Sequence, residues 1–78
     1  MGQVVEERRF SRALGRRLAQ IRRRKGLTQA QLQDRVHLTI EYVSVVENGH
    51  KVPNLLTLRT WARRGLGVPL DAVLKGLP

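Results

Sequence analysis

The chain has 78 residues, of which 41% are hydrophobic, and this is enough for one small domain with one modest core. Fifteen lysine and arginine residues against six acidic ones give a net charge of +9, which favours a polyanionic partner such as DNA, RNA or an anionic membrane. The sequence has no cysteine and two histidines, which excludes disulfide scaffolds, thiolate zinc sites and cysteine catalysis. One Phe, one Tyr and one Trp are too few for a stacking platform that binds single-stranded nucleic acid.

The composition also argues against an enzyme. The sequence holds no nucleophile–base pair, metal-binding cluster or phosphate-binding loop, so we expect no catalysis, no cofactor and no small-molecule ligand. No apolar run approaches the roughly 18 residues of a membrane-spanning helix, and no signal peptide follows the first methionine. We therefore expect a cytoplasmic protein without a membrane partner; a first helix lying on a membrane surface is a less favoured alternative.

Helical periodicity begins early in the chain, where four apolar residues recur every three or four positions. They are Phe10, Leu14, Leu18 and Ile21. This spacing predicts a first helix over about residues 7–25, which Gly26 ends as a left-handed cap. We expect residues 1–6 to form a flexible segment ahead of a single domain over residues 7–78.

A second and a third short helix follow, each opened by a threonine. Thr28 caps the second helix, because Gln31 lies three residues on and completes a capping box. The inward face of this helix is predicted to consist of Ala30, Leu32 and Val36.

After a break at residues 37–39, Thr39 caps a third helix over residues 40–47. Val43 and Val46 are spaced to face the core, and Asn48-Gly49 ends the helix.

Two further helices complete the chain. Asn54 caps the fourth, whose apolar residues include Trp61, a predicted core residue. We expect Gly65 and Gly67 to break this helix, and Pro69 to open a fifth short helix that ends near residue 74.

Two short helices joined by a three-residue break have the geometry of a helix-turn-helix. Residues 27–49, LTQAQLQDRVHLTIEYVSVVENG, resemble the family of phage Cro/repressor-like and xenobiotic-response-element (XRE) regulators, and the resemblance extends over about residues 13–75. Its carriers, in order, are Leu27-Thr28-Gln29, Leu32, Tyr42-Val43-Ser44 and Val46-Glu47-Asn48-Gly49. The resemblance implies an all-α fold, a compact five-helix bundle like the lambda-repressor DNA-binding domain, with the helix-turn-helix at residues 28–47.

The sequence departs from the family pattern at three places. Gln33 stands where the family usually has Ala or Gly, and we expect its stem to pack while its amide turns to solvent. His37 replaces a turn glycine with positive φ, at an expected cost of about 1 kcal/mol. One extra residue near residues 63–65, before Leu66, leaves the end of the fourth helix open.

The resemblance implies that the third helix enters the major groove and meets base edges. The residues carried over by position are Thr39, Ile40, Glu41, Ser44 and Val45. None is Arg, Lys or Asn, so the common bidentate contacts to guanine or adenine are missing. Ile40 and Val45 can pack on thymine methyl groups, and Glu41 can accept from a cytosine amino group. The alternative is an exposed face that is solvated or meets a protein.

Phosphate contacts are predicted on both sides of that helix. Thr28 and Gln29 lie at a helix N-terminus, a natural anion site, and Gln29 resembles the family's clamp residue. The Tyr42 hydroxyl could reach phosphate, or its ring could pack on the second helix with the hydroxyl solvated. Beyond the third helix, three residues could follow the DNA backbone or lie in a solvated loop: Asn48, His50 and Lys51.

The first helix carries a run of nine basic residues without an acidic one. They are Arg8, Arg9, Arg12, Arg16, Arg17, Arg22, Arg23, Arg24 and Lys25. Such a run is usually a solvated face, and nine side chains cannot all point at one duplex. The resemblance implies phosphate contacts near the end of this helix, from Arg23, Arg24 and Lys25. The first three, Arg8, Arg9 and Arg12, could serve as a flexible basic arm.

Two residues receive a structural role from the resemblance. It implies that Arg22 in the first helix pairs with Glu47 at the end of the third, largely buried. Glu47 is therefore interpreted as an ion-pair partner and not as a catalytic acid or base.

Self-association is expected because one small helix-turn-helix reads only a few base pairs. The C-terminal segment is rich in apolar residues, some of which must close the core. We expect the rest to form a homodimer interface: Val68, Leu70, Val73, Leu74 and Leu77. The function predicted is a dimeric, sequence-specific regulator of transcription that binds double-stranded DNA. The alternative is a protein-interaction module, an antitoxin-like protein or adaptor, that uses the helix-turn-helix face to bind a partner protein.

Overall fold

The computed structural model describes residues 2–78, and the side chains from residue 5 onward. Its helices are α1 (Gly2–Arg24), α2 (Gln29–Val36), α3 (Ile40–Glu47), α4 (Leu55–Thr60) and α5 (Leu70–Leu74). A π-helical turn, Trp61–Leu66, continues α4 directly. Residues 2–78 contain no strand, and the predicted all-α fold of five helices is confirmed. No helix within these residues has the length and apolar character that crossing a bilayer requires.

Helix α1 begins five residues before its predicted start. Residues 2–6, which we expected to be flexible, continue the helix, while Met1 lies outside the described residues. The physical reason is that residues 3–9 contain neither glycine nor proline, and Glu6 and Glu7 are good helix formers. Residues 5–9 are all exposed, so the first turns of α1 receive little support from packing. The longest dimension of the molecule, 38 Å, is close to the roughly 35 Å length of a 23-residue helix.

The core lies where α1 crosses the other helices. Its completely buried large side chains are Leu14, Leu18, Leu32, Val43, Val46, Trp61, Leu66 and Val73. The predicted apolar stripe of α1 therefore faces inward, with Phe10 half-buried at its start. Ala30 was predicted to face inward but is exposed. Two residues correspond to about 200° of helical rotation, so Ala30 and the buried Leu32 lie on opposite sides of α2.

The turn between α2 and α3 has the local geometry that the sequence predicted. The capping box at Thr28 and Gln31 is present, and Thr39 caps α3 by accepting from the Tyr42 N–H at 3.0 Å. His37 adopts φ +58°, in the left-handed region, where a non-glycine residue costs about 1 kcal/mol. Gln33 is half-buried. Both helices are therefore fixed at their ends by residues within the motif itself.

The π-helical turn absorbs the extra residue expected near residues 63–65. A π turn carries more residues than an α turn, so Trp61 and Leu66 both stay in the core. Gly65, predicted to break the helix, is instead buried inside this turn. A Cβ added there would lie 2.6 Å from Leu32 Cδ1 and 2.9 Å from Val36 Cγ1, so the glycine is required for close packing on α2. The helix ends at Gly67, which has φ +69°.

Helix α5 closes the bundle against α1. The Arg17 Nη1 donates to the Ala72 carbonyl oxygen at 3.1 Å, which satisfies an acceptor at the end of this short helix. Val73 is completely buried, so grouping it with a dimer interface was wrong: its apolar side chain fills the core of its own protomer. The other four residues of that group are half-buried against the core: Val68, Leu70, Leu74 and Leu77.

Candidate nucleic-acid interface

A buried ion pair lies at the junction of the helices. Arg22 Nε donates to Glu47 Oε2 at 2.7 Å and Arg22 Nη2 donates to Glu47 Oε1 at 3.0 Å. The two residues are 8% and 9% exposed, so water screens this bidentate pair poorly. Arg22 Nη1 also donates to the Leu27 carbonyl oxygen at 2.8 Å. The guanidinium thus ties α1 to the end of α3 and to the loop before α2.

Gln29 joins this junction from α2, a contact that sequence reasoning missed. Its Nε2 donates to Glu47 Oε1 at 2.9 Å, so that oxygen accepts from both Arg22 and Gln29. A glutamine amide has a second N–H and a carbonyl oxygen for other partners. Gln29 can therefore contact a ligand while it donates to Glu47. A carboxylate has more acceptor sites than Arg22 fills. The predicted burial of Glu47 could therefore have indicated a second donor such as Gln29.

The N-terminus of α2 presents unbonded backbone donors. The Thr28 side chain accepts from the Gln31 N–H at 3.1 Å, and Gln31 Oε1 accepts from the Thr28 N–H at 2.9 Å. The N–H groups of Gln29 and Ala30 donate to no other residue in the described part of the chain. These donors, with the positive end of the helix dipole, favour an anion at this position.

The outer face of α3 carries the five residues predicted to meet bases. Thr39, Ile40 and Glu41 are exposed, with Ile40 43% exposed, while Ser44 and Val45 are half-buried. The buried Val43 and Val46 lie on the opposite side. This face therefore offers two aliphatic side chains, a carboxylate and hydroxyl groups, but no arginine or amide.

Tyr42 lies at the edge of the core. Its half-buried ring is tilted by 49° to that of Trp61, and the two ring centroids are 6.3 Å apart. Trp61 is completely buried, as predicted from its place in the apolar pattern. The ring of Tyr42 therefore anchors α3 to the π turn, in addition to any contact that its hydroxyl makes.

The loop after α3 passes directly over α1. A Cβ on Gly49 would lie 2.9 Å from the Arg12 Cα, and this close approach together with φ +82° requires glycine there. Asn48, His50 and Lys51 are exposed around it. The Asn48 Nδ2 donates to Ser44 Oγ at 3.3 Å, which links this loop to the outer face of α3.

A basic groove runs between α1 and the end of α3. It is an open depression of about 630 Å³ whose lining includes Arg16, Gln20, Arg23, Arg24 and Asn48. Arg16 was not among the predicted phosphate contacts, although it lies seven residues before Arg23 and hence on the same helix face. Arg17 and Arg22 are held in the contacts described above. The other seven basic residues of the run are exposed: Arg8, Arg9, Arg12, Arg16, Arg23, Arg24 and Lys25.

Comparison with known proteins agrees with this geometry. Residues 13–74 match the family model described as a helix-turn-helix domain. The chain is also similar to the uncharacterized HTH-type transcriptional regulator y4dJ of Sinorhizobium fredii, with 38% identity over 55 residues, or 70% of each chain. No match was found among solved structures.

Proposed function

Because the chain belongs to the helix-turn-helix domain family, we propose that it is a regulator of transcription that binds double-stranded DNA sequence-specifically. The observation that carries this proposal is the exposed outer face of α3, together with the N-terminus of α2 that Gln29 holds to the end of α3. Both helices are capped at their ends and held to α1 by the Arg22–Glu47–Gln29 junction. An element that reads bases must be held rigidly in this way.

In this proposal α3 lies in the major groove. Ile40 and Val45 pack on thymine methyl groups, and Glu41 accepts from a cytosine amino group. Thr39 and Ser44 take part as hydroxyl donors, since the oxygen of each already accepts a hydrogen bond within the motif. These contacts distinguish bases mainly through apolar side chains and a carboxylate. In this respect α3 differs from recognition helices that bind guanine through arginine.

The phosphates lie on either side of α3. One is bound at the N-terminus of α2 by its free N–H groups, with Thr28 and the second N–H of Gln29 as further donors. Others follow the exposed loop of Asn48, His50 and Lys51, with the Tyr42 hydroxyl alongside. The basic groove continues this surface along α1 through Arg16, Arg23, Arg24 and Lys25. These contacts fix the register of the protein on the duplex without reading sequence.

The protein acts only by binding, without catalysis or a cofactor, and the form that binds is a homodimer. Two copies on a palindromic site place their recognition helices about 34 Å apart, one helical turn of DNA. The finer assignment to the Cro/repressor-like (XRE) group is part of this proposal, since it rests on the motif at residues 27–49.

A second candidate function is a protein-interaction module that uses the same face. The observation in its favour is the outer face of α3 itself, where Ile40 is 43% exposed beside Glu41 and no basic side chain is present. An apolar and acidic surface of this kind also suits a basic protein partner.

The assignment of α3 to bases leads to a first prediction. Replacing Ile40 and Glu41 together with alanine is expected to lower the ratio of specific to nonspecific affinity by about tenfold or more, because each lost base contact costs about 1–3 kcal/mol. The slope of log affinity against log salt stays unchanged, because neither side chain contacts phosphate. Both quantities follow from binding titrations on a selected duplex and on a scrambled one across a salt series.

Lys51→Ala is the matched control for this prediction. It is expected to weaken binding to both duplexes about equally and to reduce the salt slope by about 1, as the loss of one phosphate contact requires. The assignment would be wrong if the Ile40 and Glu41 double variant kept the full preference for the selected duplex.

A further inference from the structure

Two adjacent leucines at the start of α4 project into solvent. Leu55 is 68% exposed and Leu56 is 71% exposed, and Val52 just before them is 46% exposed. Isolated apolar residues on a surface are common, but three exposed ones within five positions concentrate apolar surface in one short segment. We call these three residues the α4 patch. They fill no part of the core of their own protomer.

An apolar cleft adjoins the α4 patch. It is open, with a volume of about 450 Å³, and Phe10, Ser11, Val52, Pro78 and the pair Glu6 and Glu7 line it. We call it the α1 cleft. It exists because α1 continues beyond the bundle, so that its first turns form one wall while the loop after α3 and the end of the chain form the others. Val52 belongs to both the patch and the cleft, so the two are neighbours on one face.

The charges of the patch and the cleft are opposite in sign. Glu6 and Glu7 are exposed on the wall of the α1 cleft, and neither forms an ion pair with another residue of the described chain. Arg59 is exposed and lies one helical turn after Leu55, hence on the same face of α4. The α4 patch is therefore apolar with a basic edge, and the α1 cleft is apolar with an acidic edge.

We propose that a second copy of this chain docks here, with Leu55 and Leu56 of each copy seated in the α1 cleft of the other. Arg59 of one copy then lies beside Glu6 and Glu7 of its partner. A two-fold interface needs one surface that contains both complementary halves, and the adjoining patch and cleft supply them. The inference rests on the proposed function for its expectation of a homodimer, and it replaces the C-terminal segment as the interface.

The position of this surface is compatible with DNA binding. Val52 lies five residues beyond the end of α3, and the base-facing residues of α3 take no part in the patch or the cleft. Dimerisation through this surface therefore uses none of the side chains that the proposed function assigns to bases. It also gives a role to the N-terminal turns of α1, which lie outside the region that matches the family model.

Analytical ultracentrifugation of the full chain without DNA tests the proposal. The wild type is expected to form a dimer in the micromolar range. Leu55→Ser with Leu56→Ser is expected to raise the dimer Kd by roughly 30-fold or more, the effect of losing a central apolar anchor. The melting temperature of this variant changes little, since both side chains are exposed in the protomer.

Ile40→Ser is the matched control, because it removes an exposed aliphatic side chain from a different face. Its dimer Kd is expected to equal that of the wild type. A wild type that remains monomeric into the millimolar range would overturn the proposal, and so would a double serine variant that dimerises as tightly as the wild type. Equal weakening by Ile40→Ser would also contradict it, since the effect would then not belong to the α4 patch.

Charge reversal provides a second, independent measurement. Arg59→Glu alone is expected to weaken the dimer about tenfold, and adding Glu6→Arg with Glu7→Arg is expected to restore it. General repulsion between strongly basic chains predicts the opposite order, because Arg59→Glu lowers the net charge and the added arginines raise it. Absence of rescue would overturn the pairing of these charges.

The proposed dimer interface and the proposed DNA binding can fail independently of each other. Binding of a protomer to a duplex of half-site length depends on α2 and α3 and needs no dimer. If the double serine variant binds more weakly but still prefers the selected duplex to a scrambled one, the DNA proposal remains intact. If no duplex binds while the dimer responds to the substitutions as expected, the DNA proposal fails and the interface stands.

Discussion

Replacing Glu47 with alanine is expected to lower the free energy of unfolding by about 3–5 kcal/mol, because Arg22 would then be buried without its charge partner. Gln29 would lose its acceptor at the same point. A domain of 78 residues has a total stability of about 4–12 kcal/mol, from roughly 0.05–0.15 kcal/mol per residue. The substitution thus removes a large part of the stability, and urea denaturation followed by circular dichroism measures the loss.

Two controls separate the loss of the ion pair from a general effect of substitution. Glu41→Ala removes an exposed carboxylate from the same helix and is expected to change the stability by no more than about 0.5 kcal/mol. Arg22→Met with Glu47→Leu removes both charges and is expected to be more stable than Glu47→Ala alone, because no unpaired charge stays buried. A Glu47→Ala variant with the melting temperature of the wild type would contradict the structural role of the junction.

The second large effect is expected at Gly15, in the middle of α1. Gly15→Ala is expected to destabilise the domain by about 2–3 kcal/mol, the cost of overpacking a tight contact. An added Cβ would lie 2.6 Å from the Glu47 carbonyl oxygen and would also collide with the Val46 carbonyl oxygen. Both atoms belong to the backbone of α3, so no rotamer change relieves the contact.

Whether Gly15→Ala lowers or raises the stability shows which dominates at this position, close packing of α1 on α3 or intrinsic helix propensity. At an exposed helical site, replacing glycine with alanine stabilises a helix by about 1 kcal/mol. Gln20→Ala, at an exposed position on the same helix, is the control and is expected to have little effect. A Gly15→Ala variant more stable than the wild type would mean that α1 and α3 do not approach as closely as described.

Features fixed by neighbouring residues were predictable from the sequence. The caps at Thr28, Thr39 and Asn54 each accept a hydrogen bond from a backbone N–H three residues ahead, so residue type and spacing are sufficient to identify them. The positive φ of His37 was implied by the family resemblance, because the family usually has a turn glycine at this position. Hydrophobic periodicity also placed the core stripe of α1.

Features that depend on packing between distant segments were not predictable in the same way. The burial of Gly65 reflects its close approach to Leu32 and Val36 of α2, and residue spacing does not show what covers a face. The burial of Val73 has the same cause, since an apolar residue in a short C-terminal helix suits a core and an interface equally. Leu55 has the helical spacing of the core residues Leu58 and Trp61, yet α4 turns it outward.

The candidate site likewise contains features that were predictable from the sequence and features that depend on packing. Family resemblance placed Arg22 opposite Glu47, and its motif placed the residues of α3 on one face. The bond from Gln29 to Glu47 and the basic groove at Arg16 depend on how α1, α2 and α3 meet. That arrangement emerges only from the folded chain.

Selection of binding sites from random-sequence duplexes, followed by affinity measurement across a salt series, tests the central claim most directly. A sequence-specific regulator is expected to enrich one motif, palindromic for a homodimer, and its log affinity is expected to fall with log salt at about −0.9 per phosphate neutralised. Recovery of no motif, with only weak and salt-sensitive binding to every duplex, would contradict the claim and favour the protein-interaction module instead.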